Sequence, residues 1–182
     1  MVNTRLADIS LLYSYISNVN QVLGDEHPAG DFDSDSHIIN GSYSGWKAGT
    51  LTGYNTYLLD LNDSPANSSA TYGGSFVGST PLSDTVAATY HAEYAYQTDN
   101  GNNPLNYDAN YYHFSLGAKH KKFDYGVGYE VLGSDGGAKG FATPLATLHK
   151  FNGWADAFLA TPADGLDDLY AWVALFCPEV FP

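Results

Sequence analysis

Thr85 to Val131 reads TVAATYHAEYAYQTDNGNNPLNYDANYYHFSLGAKHKKFDYGVGYEV, and its alternation decides the fold. One parity carries Val86, Ala88, Tyr90, Ala92, Tyr94 and Tyr96, then Tyr112, Phe114, Leu116 and Ala118, then Phe123, Tyr125, Val127, Tyr129 and Val131. None of these fifteen positions is charged. The other parity carries Thr85, Thr89, His91, Glu93 and Gln97, then Tyr111, His113, Ser115 and Gly117, then Asp124, Gly126, Gly128 and Glu130. Period-two patterning places the two sets on opposite faces of strands. Runs of roughly 10 residues are what a tilted strand needs to cross a bilayer. A charged side chain at the bilayer midplane costs about 2 to 4 kcal/mol, so a face free of charge is suited to lipid. The same alternation also fits a soluble antiparallel sandwich whose apolar parity turns inward to a shared core.

Outward from this stretch, alternation and turn residues predict eight strands at about 5–17, 36–46, 49–60, 69–80, 84–98, 107–119, 122–132 and 167–176. Short connections are expected near Trp46-Lys47-Ala48, Pro81-Leu82-Ser83 and Lys119-His120-Lys121. Long ones are expected over about 18–35, 61–68, 99–106 and 133–166. Alternating short turns and long loops are typical of outer-membrane barrels. Charge divides along the same line. Lys47, Lys119, Lys121 and Lys122 sit at short turns, whereas Asp25, Glu26, Asp31, Asp33, Asp35, Asp63, Asp99, Asp135, Asp156, Asp164, Asp167 and Asp168 sit in or beside long loops.

The chain has 182 residues, a length suited to one domain, and a formal net charge of -13. Seven Lys and Arg against twenty Asp and Glu leave no basic footprint for nucleic acid. Fifteen tyrosines suit an aromatic girdle, where one end of the ring is apolar and the other wet. Cys177 is the single cysteine, so neither a disulfide framework nor a cysteine metal site can form within the chain. No run of about 18 apolar residues exists for a membrane helix. Met1-Val2-Asn3-Thr4-Arg5 leads into strand-like residues without a secretory leader. Outer-membrane delivery requires such a leader, which implies an internal or truncated piece of a longer precursor.

Several phrases resemble the alginate-export-type outer-membrane porins of proteobacteria. They are Phe32-Asp33-Ser34-Asp35-Ser36-His37 before Ile38-Ile39-Asn40, Tyr57-Leu58-Leu59-Asp60-Leu61 with Ser64-Pro65-Ala66-Asn67-Ser68, and Tyr125-Gly126-Val127-Gly128-Tyr129-Glu130-Val131-Leu132-Gly133. Thr143-Pro144-Leu145-Ala146-Thr147-Leu148-His149, Phe151-Asn152-Gly153-Trp154-Ala155-Asp156 and Thr161-Pro162-Ala163-Asp164-Gly165-Leu166-Asp167-Asp168-Leu169-Tyr170 complete the set. Their order is like that of the family's C-terminal half. The resemblance implies an all-β, antiparallel up-and-down transmembrane barrel, of which this chain is an incomplete fragment of about eight strands, as a curved sheet or partial barrel. Residues 1–176 form the barrel segment and 177–182 an atypical tail. It also implies a bacterial outer-membrane location, with lipid and a hydrophilic solute or polysaccharide as partners. Alginate itself is not carried over, because Arg5 is the sole arginine and the predicted lumen parity is acidic. An acidic lining selects for cations or passes neutral solutes.

The expected lumen residues are His91, Glu93, His113, Asp124 and Glu130. Tyr107 and Tyr111 nearby are suited to stack on sugar rings. Phe151, Trp154, Asp156 and Phe158 are expected at the mouth, on a short amphipathic helix around Lys150 to Leu159. Neither cofactor nor catalytic set is called for, since no nucleophile, base and orienting third residue can be named. Asp31, Asp33 and Asp35 have calcium-loop spacing, but Ser36 replaces the turn glycine and Ser42 the closing glutamate. A looser calcium site among acidic loops belongs to the alternative reading, a secreted sandwich or adhesin-like binding module.

Overall fold

The computed structural model describes residues 2–20, 24, 27, 30–145, 158 and 160–176. Nine strands follow one another: β1 (Val2–Leu6), β2 (Ile9–Asn20), β3 (Asp31–Trp46), β4 (Gly49–Leu59), β5 (Ser69–Ser83), β6 (Val86–Asp99), β7 (Asp108–His120), β8 (Phe123–Leu132) and β9 (Leu166–Leu175). Each pairs antiparallel with its sequence neighbour, giving one up-and-down sheet in the order β1 to β9. No described pairing joins β1 to β9, so the sheet is open.

The strand expected over 5–17 is two strands, because the chain reverses at Ala7-Asp8, where Ala7 takes a left-handed φ of 51°. Alternation continues through such a tight turn and hides it. The turn expected at Pro81-Leu82-Ser83 falls instead at Asp84-Thr85, and Pro81 lies within β5. The β4 ladder ends at the Thr50–Val77 pair, so the prolyl nitrogen has no β4 carbonyl to satisfy. β3 begins at Asp31, which puts Asp31, Asp33 and Asp35 in an extended strand and not in a loop.

Two-residue turns at 7–8, 47–48, 84–85 and 121–122 lie at one rim. The longer connections, over 60–68 and 100–107 and those joining β2 to β3 and β8 to β9, leave and re-enter the sheet at the other. Buried residues gather at the long-connection rim. Ala95, Tyr107, Ala109, Leu132 and Phe141 form a small core, with Tyr54, Tyr111 and Leu166 packed against it. Nearby, the Leu61 N–H donates to Ser68 Oγ (2.9 Å) and the Asp60 N–H to Ser36 Oγ (2.9 Å), which ties the 60–68 connection to β3.

Away from that rim the sheet is a single layer. Register aligns Ala92 with Phe114 and Phe114 with Tyr129, and Tyr129 with Leu169, so the apolar parity is continuous across β6 to β9, with Asp108 and Asp167 on it only at the long-connection rim. Ile9, Leu11 and Tyr13 of β2, Ile39 and Tyr43 of β3 and Leu51 of β4 extend it. No element among the described residues packs on this face. Phe114 is 52% exposed, Leu116 63%, Val127 56% and Val173 77%, values that a sandwich core would reverse.

Candidate functional site

The opposite parity forms a polar face whose side chains line up in rows across the strands. From the short-turn rim, successive rows are Lys119 with Asp124, then Thr89, Gly117, Gly126 and Trp172, then His91, Ser115, Gly128 and Tyr170. Glu93, His113, Glu130 and Asp168 form the next row. It carries three carboxylates and an imidazole with no Lys or Arg. Above it, Ala95, Tyr111, Leu132 and Leu166 enter the small core.

Glycines let large rings lie flat on this face. A Cβ at Gly117 would sit 2.8 Å from Trp172 Cζ2 and 2.8 Å from the Tyr125 carbonyl oxygen. One at Gly126 would strike the same indole and come within 2.6 Å of the Leu116 carbonyl oxygen. Trp172 therefore reaches across both glycines, and its Nε1–H donates to Asp124 Oδ1 (3.0 Å). Tyr170 covers Gly128 in the same manner, its hydroxyl 2.7 Å from His113 Nε2. Gly126→Ala is expected to lower stability by about 1 to 3 kcal/mol through overpacking. Gly53→Ala, where a Cβ meets nothing within 4 Å, serves as the matched control in urea unfolding from detergent.

All five expected lining residues lie on this face, and three of them converge. His91 Nε2 is 3.1 Å from Glu93 Oε2, and the His91 and His113 rings meet edge to face with centroids 4.4 Å apart. One potential ligand atom from each of His91, Glu93 and His113 lies within 4.8 Å of the others. Tyr54 donates its hydroxyl to the second Glu93 oxygen, and Tyr111 donates to Glu130 Oε1 (2.6 Å). Glu130 is therefore next to the cluster, opposite His113 in register. Asp124 stands apart, held by Trp172 and 3.9 Å from Lys119 Nζ. An open hollow of about 580 Å³ adjoins it, lined by Lys47, Thr50, His91, Lys119, Asp124 and Trp172 among others.

Tyr107 does not serve as a sugar platform, because it is buried beneath the segment 133–142. That burial, with Asp99 nearby, pushes its hydroxyl up to about 12, so it stays a neutral donor to Gln97 Oε1 (3.2 Å). Lys139 lies over the Tyr107 ring, 4.8 Å from its centroid, and donates to the Ala66 carbonyl; burial lowers the pKa of its ammonium. Among the described residues of this rim, Lys139 stands beside acidic groups such as Asp99 and Asp135. Phe158 is exposed in a turn, whereas Phe151, Trp154 and Asp156, with most of the expected helix, lie outside the described residues.

Tyr54, Gln97, Tyr170 and Trp172 belong to the site and are not among the expected lining residues. The signal for the last two was the parity of β9, where Leu169, Ala171, Val173 and Leu175 face the other way. No protein-family model matches this chain, and no match was found among curated proteins.

Proposed function

We propose that this chain forms part of the wall of a bacterial outer-membrane pore, passing hydrophilic solutes along the face that carries His91, Glu93, His113, Asp124 and Glu130. One observation carries the reading: a sheet of nine strands exposes a broad apolar face on one side, with charge on it only toward the long-connection rim (Asp35, Asp108, Asp167), and an acidic, aromatic-lined face on the other. Hydrocarbon is the environment in which such a face costs nothing to expose. In hydrocarbon every backbone N–H and C=O needs a partner, so the outer edges of β1 and β9 pair with further strands in the assembled barrel. The phrases resembling alginate-export-type porins are in keeping with this function. The scarcity of Lys and Arg on the polar face favours neutral or cationic solutes over an anionic polysaccharide.

The test is planar-bilayer recording on the protein as extracted from its membrane. Conductance with a reversal potential on the cation-selective side is expected, and Glu93→Gln with Glu130→Gln should move that potential toward zero. Correctly folded protein that never conducts would refute the proposal.

A further inference from the structure

We infer that His91, Glu93 and His113 form a binding site for a first-row transition-metal dication of the zinc class, independent of whether the sheet conducts. His91 and Glu93 are two apart on β6 and so share a face, while His113 stands directly opposite Glu93 on β7. Paired antiparallel positions are separated by about 5 Å, which brings a third donor onto the two already there. Two imidazole nitrogens and a carboxylate oxygen, all within 4.8 Å of one another, make up the three-ligand set used by zinc sites that keep a fourth position open.

The ligand type selects the metal. Imidazole suits zinc, nickel and copper, whereas calcium and magnesium prefer all-oxygen shells. The side chains are partly buried, with 24% and 20% of the His91 and Glu93 side chains exposed, so the site is shielded yet open to the polar face. Tyr54 on Glu93 Oε1 and Tyr170 on His113 Nε2 leave Glu93 Oε2 and His113 Nδ1 for the metal and fix the two side chains, as outer partners of metal ligands do. Glu130 and Asp168 in the same row add negative charge, and the lysine nearest in register, Lys119, is engaged with Asp124.

The experiment is calorimetric titration of the full chain, refolded in detergent, with zinc chloride. One zinc per chain is expected. His113→Ala and Glu93→Gln should each weaken binding at least about tenfold, and Tyr170→Phe, which removes only an outer partner, about tenfold. His120→Ala, at the short-turn rim, should leave affinity unchanged. Cobalt added to the unaltered chain should give the intense visible bands of a low-coordinate imidazole site, a readout that does not depend on any variant folding. Absence of zinc uptake by the unaltered chain, a purely aquo cobalt spectrum, or affinity indifferent to both His113→Ala and Glu93→Gln would overturn the site.

Discussion

Phe114→Lys should reduce the folding free energy in lipid vesicles by about 2 to 4 kcal/mol, while Ser115→Lys, one residue along the same strand, should change it little. The two positions have the same strand, hydrogen-bond ladder and distance from the turns, and differ in parity alone. Phe114 stands between Ala92 and Tyr129 on the apolar face, whereas Ser115 stands between His91 and Gly128 on the polar one. A lysine at 115 points its ammonium toward carboxylates and water; at 114, under the pore proposal, it points into hydrocarbon. Urea titration of vesicle-refolded protein measures the difference. Equal costs at the two sites would mean that lipid is not what covers the apolar face, and the pore proposal would fall with it.

The features legible from the chain alone were those fixed by parity. Fifteen uncharged positions between Val86 and Val131 set both the sheet and its two faces, and the structure keeps all of His91, Glu93, His113, Asp124 and Glu130 on the polar side. What parity does not determine is register, and the site is made by register. Glu93 meets His113, and not Ser115, because the two-residue turn at Lys121-Lys122 and the longer 100–107 connection fix how β6, β7 and β8 slide past one another. Connections of that length fold through side-chain hydrogen bonds between segments far apart in sequence, such as Asn103 Nδ2 to the Ser68 carbonyl (2.7 Å), and alternation carries no trace of them. The same blindness hid the Ala7-Asp8 turn, whose residues lack the glycine or asparagine that usually marks a left-handed position.

Gln97 is where one such connection is bolted to the sheet, and Gln97→Leu should release it. Its Nε2 donates to Thr71 Oγ1 (2.8 Å) and to the Ala142 carbonyl (2.9 Å), while its Oε1 accepts from the Ala142 N–H (2.8 Å) and from the Tyr107 hydroxyl. The residue is 1% exposed, so leucine would keep the volume and strand the buried Thr71 and Tyr107 hydroxyls. At about 1 to 3 kcal/mol for each of the two buried hydroxyls left unmatched, Thr71 and Tyr107, with the half-buried Ala142 backbone rehydrated, a loss of roughly 2 to 6 kcal/mol is expected. Water can relieve that penalty only if 133–142 lifts off the polar face, taking Phe141 away from Tyr111 and Leu132. Limited proteolysis should then cut within this segment in Gln97→Leu and spare it in the unaltered protein. Gln97→Glu retains both acceptor bonds and loses both donor bonds, so it should fall between the two. In bilayer recordings the leucine variant should show higher conductance, because 133–142 lies over the face along which solute is proposed to pass. A segment as protease-resistant in Gln97→Leu as in the parent would show that the apolar contacts of Phe141 alone hold it down, and that the hydrogen bonds of Gln97 are incidental to closing that end of the face.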